Sequence, residues 1–401
     1  MSGVRAVAVI DGEHYPPVVC DALAELPYDF VAAVLVGGTE KLRGGEDYGV
    51  PLGADLEAAI AEHRPDVVVD LSDEPVLGPA QRLALASRAL AAGVPYVGAD
   101  FRFEPPAFEP FALPSLTVIG TGKRVGKTAV TGHLAALLAR DRDVVVVAMG
   151  RGGPAEPEVI EAAPSLDDLL ALSRSGRHAA SDHLEIAALA GVPTIGCRRC
   201  GGGLAGATFT STVFEGAGLA AELGPDIVVF DGSGAAIPPI AGGVRILVAH
   251  DLHSGLNPFR ALISDLVLTM SPEVAAAAEA LGRRALRFEL RLRPAEPLGG
   301  RRAAVFTAGP APLDHLENVV FASQSLSDRP RLERELDAVD ADVCVVELKA
   351  AAIDVVAEHA AARGLDVVLA ANDVVAPGLD EALLELAEVA AGAVARENVG
   401  R

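Results

Sequence analysis

The sequence predicts an α/β protein built on mostly parallel sheets, and three observations point there. Short apolar runs of strand length alternate with helical patterns along nearly all of the 401 residues. Apolar residues make up 51% of the chain, ample for packed interiors, and the length exceeds one ordinary core, so two or three domains are expected. Finally, a glycine-rich stretch at 120–126 joins an apolar run to a helical pattern, a connection typical of parallel α/β layers.

Residues 1–108 read as an N-terminal Rossmann-like α/β domain. Strands are expected at Arg5–Ile10, Val31–Val36, Asp66–Leu71 and Pro95–Gly98, with helices around Pro17–Leu26, Leu56–Ala61 and Pro79–Ala92. Met1 runs into Val4–Ile10 with one arginine and no small-residue cleavage site, so no signal peptide is expected. Asp11-Gly12-Glu13-His14 follows the first strand, at the end where open α/β sheets place ligands, which makes His14 a candidate substrate contact. Four prolines and four phenylalanines in Phe101–Pro114 mark a linker that packs instead of floating.

A central domain spans 115–282, with strands at Leu116–Ile119, Val144–Met149, Thr194–Ile195, Asp226–Phe230, Ile246–Ala249 and Leu266–Met270. A C-terminal α/β segment, 283–401, opens on Ala285–Arg293. There Leu286, Phe288, Leu290 and Leu292 alternate with charged residues, the pattern of one half-exposed strand. Further strands are expected at Ala303–Thr307, Val319–Ala322, Val343–Glu347 and Val367–Ala370. The pattern does not decide whether this segment stands alone or packs on the central sheet.

The strongest chemical signal is Gly120-Thr121-Gly122-Lys123-Arg124-Val125-Gly126-Lys127-Thr128. It follows an apolar strand and precedes a helix whose Val130, Leu134, Leu137 and Leu138 share a face, the context of a P-loop NTPase domain. Backbone amides of Gly122 to Ala129 are positioned to converge on nucleotide phosphates, helped by the helix N-terminus. Lys127 is expected to reach the β- and γ-phosphates, Lys123 to assist, and the Thr128 hydroxyl to bind Mg²⁺. Lys127→Ala should then abolish turnover and leave the fold intact. Thr121 stands where the strict pattern has glycine, which resembles dethiobiotin synthetase and its relatives. The buried run Ile227–Phe230 ends in Asp231, the place of a Walker B acid that binds Mg²⁺ directly or through water.

Composition narrows the partners. A formal charge of −22 without basic runs argues against nucleic acid and anionic membranes, and no apolar run is long enough to span a bilayer. Four scattered cysteines make no disulfide framework, so a reducing cytoplasm is expected. Any phosphate site must be a local cluster of cations and amides working against the global field. Only four lysines, Lys41, Lys123, Lys127 and Lys349, stand beside 29 arginines, which directs attention to the two in the loop and to Lys349.

Further stretches carry a specific resemblance. They are Met149-Gly150-Arg151-Gly152-Gly153-Pro154, Gly176-Arg177-His178-Ala179-Ala180-Ser181-Asp182-His183, Pro193-Thr194-Ile195-Gly196-Cys197-Arg198-Arg199-Cys200-Gly201-Gly202-Gly203, Gly232-Ser233-Gly234-Ala235-Ala236, Ile10–Tyr15 and Glu347-Leu348-Lys349-Ala350. With the P-loop they resemble the cyclic 2,3-diphosphoglycerate synthetase family over nearly the whole chain; Asp231 stands where that family usually has glutamate. The resemblance implies use of ATP and Mg²⁺ to close the two phosphates of 2,3-diphosphoglycerate into an internal anhydride, releasing ADP and phosphate. A homodimer is the expected assembly. Catalysis is assigned to Lys127, Lys123 and Asp231, metal binding to Thr128 and Asp231, and substrate binding to Arg151, Arg198, Arg199, Gly201, Gly202, His14 and Lys349. Arginines beside glycines suit a highly anionic substrate, because guanidinium forks and close backbone amides can share its charge. Cys197 and Cys200 form a single C-x-x-C, read as packing more than as a metal or redox pair. Another small-molecule kinase, a dethiobiotin-synthetase-like ligase and a regulatory P-loop NTPase remain open alternatives on the residues alone.

Overall fold

The computed structural model describes residues 3–241 and 243–399, which form two compact units. The first holds the chain up to Ala107 together with Asp251–Ile263 and Ala280–Arg283. Its strands are β1 (Arg5–Ile10), β2 (Asp29–Leu35), β3 (Leu52–Gly53), β4 (Val67–Asp70), β5 (Tyr96–Val97) and β6 (Arg102–Phe103), with helices α1 (Pro16–Glu25), α2 (Leu56–His63) and α3 (Pro79–Ala91). The order β3-β2-β1-β4-β5-β6 is parallel except for β6, the doubly wound arrangement expected of a Rossmann-like unit. Ala6–Ile10 of β1 and the three valines of β4 are apolar and buried, as strands covered on both faces must be.

The second unit carries two large sheets and one two-stranded parallel pair. Its first strands are β7 (Glu109–Pro110), β8 (Ser115–Gly120), β9 (Val144–Gly150), β10 (Glu158–Ile160), β11 (Thr194–Cys200), β12 (Thr210–Ser211), β13 (Ile227–Asp231), β14 (Ile240–Ala241), β15 (Val244–Ala249), β16 (Leu266–Thr269) and β17 (Ala285–Arg287). The central sheet runs β10-β11-β9-β13-β8-β15-β16-β17, parallel except at β10, with β12 paired to β11. Helices α4 (Lys127–Leu138), α6 (Asp182–Ala190) and α7 (Val213–Leu223) lie along it, while α5 (Leu166–Arg174) packs against the helical turn Ala352–Ala357 of the C-terminal segment. Every residue of β8, β9 and β13 is buried, so their near-continuous Val/Ile runs are what two covered faces demand. Val130, Leu134, Leu137 and Leu138 of α4 all enter that core.

The other sheet uses β18 (Glu289–Pro294), β19 (Ala303–Phe306), β20 (Val319–Ser323), β21 (Val343–Glu347) and β22 (Asp366–Val375) in the order β18-β22-β21-β19-β20. One expectation is corrected here. Ala285–Arg293 is not one strand but two, β17 parallel to β16 and β18 antiparallel to β22. The alternation is continuous, yet the Phe288 amide makes the last rung to Thr269 O at 2.9 Å, and the chain then crosses between sheets. Phe288 is buried in the central core and sits under the phosphate loop, so the hydrophobic period carries through a break in pairing. Val374 and the C-terminal helix Leu379–Val399 enter the same core, so the C-terminal segment packs onto the central sheet while keeping a sheet of its own.

Candidate active site at the phosphate loop

The loop between β8 and α4 turns through two left-handed residues, Arg124 (φ 60°) and Gly126 (φ 91°), before α4 begins at Lys127. Glycine is required at 126 for its φ and for space, since a Cβ there would lie 3.2 Å from the Phe288 ring. Thr121, in place of the usual glycine, is employed. Its Oγ1 accepts the His250 amide (3.1 Å) and lies 2.7 Å from His250 Nδ1, tying the loop to the end of β15. A hydroxyl already accepting there can donate to Nδ1, which puts the ring proton on Nε2. Lys123 and Arg124 are exposed, Val125 is buried, and Gly122, Thr128 and Ala129 are half-buried.

Lys127 and Asp231 meet directly. The ammonium donates to both carboxylate oxygens at 2.7 Å, and Thr131, one helical turn after Lys127, donates to Oδ1 at 2.6 Å. Asp231 is fully buried. Burial raises its pKa above the usual carboxylate range, and the Lys127 charge pulls against that rise. The pair therefore stands at the end of β13, one strand from the loop.

Beside it lies a cluster of cations. A Cβ on Gly234 (φ 60°) would lie 3.8 Å from Arg199 Nη2 and 4.0 Å from Lys123 Cγ, so these two side chains flank the same turn. Arg199 donates to Gly201 O (2.6 Å) and Ser233 O (2.8 Å), which fixes the glycine loop to the strand end after Asp231. Burial lowers the Arg199 pKa, and the charge of nearby Arg151 lowers it further. Gly202 approaches the same guanidinium. Arg198, exposed, alternates to the opposite face of β11 from Arg199, the face shared by Thr194 and Gly196. The same alternation separates Cys197 from Cys200. Cys197 packs against Gly216 of α7, where burial pushes its thiol up to about 12, while Cys200 is exposed. Among the described residues no group of His, Cys, Asp and Glu side chains is arranged to hold a metal by itself.

Lys349 follows β21 and is ion-paired with Glu185 of α6. Burial raises the Glu185 pKa to about 7, and the Lys349 charge opposes that. Asp182, on the first turn of α6, is close enough to act electrostatically on both Lys349 and Asp231. Glu347 next to it accepts from the Ala308 amide (2.7 Å) and from Asn372. His14 belongs to the first unit. There the fully buried Asp11 accepts from the Glu13 amide (2.9 Å), His14 Nδ1 (2.8 Å) and the Asp73 amide (2.8 Å), so the imidazole is held at the end of β1. Burial pushes Asp11 up, but the hydrogen bonds prevail and hold it below the usual carboxylate range.

Thr131 and His250 stand outside every motif of the sequence, and Ser233 stands within one but without an assigned role. Thr131 had a signal, because four residues after Lys127 is the same helix face. His250 and Ser233 act through their place at strand ends, which only the sheet order reveals.

Family models described as cyclic 2,3-diphosphoglycerate synthetase match in three parts: the N-terminal domain at residues 5–104, the P-loop domain at 115–285 and the C-terminal domain at 296–373. Curated relatives bear the same description. That of Rubrobacter xylanophilus is 49% identical over 96% of this chain and 98% of its own. That of Thermococcus kodakarensis is 41% identical over 92% and 94%, and that of Methanothermus fervidus 37% over 96% and 97%.

Proposed function

The chain belongs to the cyclic 2,3-diphosphoglycerate synthetase family, and from that premise we propose that it is an ATP-dependent ligase that closes 2,3-diphosphoglycerate into its cyclic diphosphate. An oxygen of one substrate phosphate attacks the γ-phosphorus of ATP, the bond to the β–γ bridging oxygen breaks, and ADP leaves. The second substrate phosphate then attacks the phosphorus so activated, the bond to its new bridging oxygen breaks, and inorganic phosphate leaves as the ring closes. Both steps crowd anionic oxygens together, so fixed cations and amides supply the stabilisation.

The observation that carries this reading is the meeting of Lys123, Arg199 and the Gly234 turn beside the Lys127–Asp231 pair, with Arg151 within electrostatic reach. That is more positive charge than nucleotide phosphates need. Lys127 exchanges Asp231 for the β- and γ-phosphates, while amides of 122–129 cradle them. Arg151, Arg198 and Arg199, with Gly201 and Gly202, hold the bisphosphate; Lys349 completes its surroundings, and His14 marks a ligand position at the end of β1 in the first unit. Thr128 and Asp231 offer a hydroxyl and a carboxylate, hard oxygen ligands suited to Mg²⁺, and Asp231 already sits opposite a cation. Bound there, the ion neutralises charge on the nucleotide oxygens. The working assembly is a cytoplasmic homodimer, and 1–108, 115–282 and 283–401 are its functional segments.

ATP hydrolysis measured with and without phosphoglycerates tests the substrate. Strong stimulation by 2,3-diphosphoglycerate and little by 3-phosphoglycerate is expected, because cations left unpaired in the site cost about 1–3 kcal/mol each. Equal response to both, or to neither, removes the bisphosphate from the account.

A further inference from the structure

Beside the ends of β9 and β11 lies a cavity of about 170 Å³, lined by Gly152, Gly153, Glu158, His178, His183 and Leu184 among others. One water needs roughly 10–15 Å³ on this measure, so the space takes a group of several atoms. It opens one residue after Arg151, on the same loop that brings that arginine near Arg199.

Its lining joins the ion pair of Glu158 and Arg177 to a set of neutral donors. His183 is only 5% exposed, yet its Nε2 is buried without a partner. The ring lies flat on β11, where a Cβ on Gly196 would stand 2.7 Å from it. Burial pushes the imidazole down to about 4, so it is uncharged at neutral pH and carries one N–H. Ser181 Oγ lies 3.1 Å from Nδ1. When that hydroxyl donates, Nε2 holds the ring proton and needs an acceptor. The amide of half-buried Gly153 has no acceptor among the described residues, nor has that of Gly152, which is exposed. Residue 153 must be glycine, since a Cβ would lie 2.1 Å from the Cys197 carbonyl oxygen. Glu158, the carboxylate on the wall, is already taken by Arg177 at 2.5 Å.

Resting on the synthetase reading above, we propose that this cavity receives the carboxylate of the bisphosphate substrate, with His183 Nε2–H as the donor that fixes which way round the substrate lies. The strong cations at Lys123, Arg151 and Arg199 are matched to phosphates. A singly charged planar group is what uncharged donors in a small cavity select. His183 is then a specificity-determining residue that discriminates by hydrogen bonding and leaves the phosphates to the cations.

Calorimetric binding to the full-length protein tests this with ATP, 2,3-diphosphoglycerate and glycerol 1,2-bisphosphate, which has a hydroxymethyl group in place of the carboxylate. The unaltered protein should prefer 2,3-diphosphoglycerate about tenfold or more. His183→Ala should erase that preference, leaving the Kd for ATP and for the glycerol bisphosphate within about twofold, and His183→Gln, which keeps an N–H donor, should restore part of it. Equal weakening of both bisphosphates in folded His183→Ala, or no preference in the unaltered protein, overturns the carboxylate assignment alone. If the unaltered protein binds neither bisphosphate, the synthetase reading fails and takes this assignment with it.

Discussion

Lys127→Ala separates a purely catalytic lysine from one that also holds the fold. The sequence suggests that this change removes a phosphate contact and disturbs no core. The structure says otherwise, because Lys127 is buried and both oxygens of the fully buried Asp231 accept from its ammonium. Removing one partner of such a pair strands the other, at about 3–5 kcal/mol. Thr131 still donates to Oδ1 and the carboxyl can take up a proton, so a loss of about 3 kcal/mol at pH 8 is the reasoned figure. That corresponds to a fall in melting temperature on the order of 5 °C or more. The pH dependence has a definite sign. Burial already raises the Asp231 pKa, and removing the lysine raises it further. A group with a raised folded pKa stabilises below its unfolded pKa of about 3.9 and loses that contribution as pH rises through the folded value. The gap between variant and parent should therefore be smallest near pH 4–5 and widen toward pH 8. Asp231→Asn in the Lys127→Ala background removes the stranded charge and should recover at least half of the loss at pH 8. Thermal melts of parent, single and double variants at the two pH values measure all of this. A Lys127→Ala protein that melts like the parent at pH 8, or a double variant no more stable than the single, refutes the reasoning.

The remaining expectations follow from the same contacts. Asp231→Asn alone should lower turnover and raise the Mg²⁺ concentration needed for half-maximal rate; an unchanged Mg²⁺ titration would leave Asp231 a partner of Lys127 only. Replacing Arg198 and Arg199 together by glutamine should raise KM for the bisphosphate by tenfold or more and KM for ATP by much less, and the reverse pattern would assign the Cys-Arg-Arg-Cys strand to the nucleotide. Glu185 has its pKa raised by burial from 4.5 to about 7, so the parent should lose stability as pH rises through that window while Glu185→Gln shows a flatter melting profile between the two values. Parallel profiles would mean that Lys349 fully compensates the buried carboxylate.

Much of this architecture was legible locally. The phosphate loop, the Asp231 strand end and most strands lie within a residue or two of the expected places, because fully buried parallel strands announce themselves as unbroken apolar runs. What was hidden depends on partners far along the chain. Thr121 looked like a departure from the loop pattern until His250, 129 residues away, gave it a bond. Lys349 drew attention by its rarity, but composition could not say that Glu185, 164 residues earlier, would take its charge. Phe288 kept the hydrophobic period while the backbone changed sheets, so periodicity alone ran two strands together. The unpartnered nitrogen of His183 has no sequence signal at all, since it arises from β11 passing beneath the ring at Gly196.

Phosphorus NMR of the purified protein with ATP, Mg²⁺ and 2,3-diphosphoglycerate separates ring closure from plain ATP hydrolysis. Ring closure gives loss of the two phosphomonoester signals of the substrate and growth of an acid-labile cyclic diphosphate, with one ADP and one inorganic phosphate formed for each ring closed. ADP and phosphate accumulating while the phosphomonoester signals persist would contradict it.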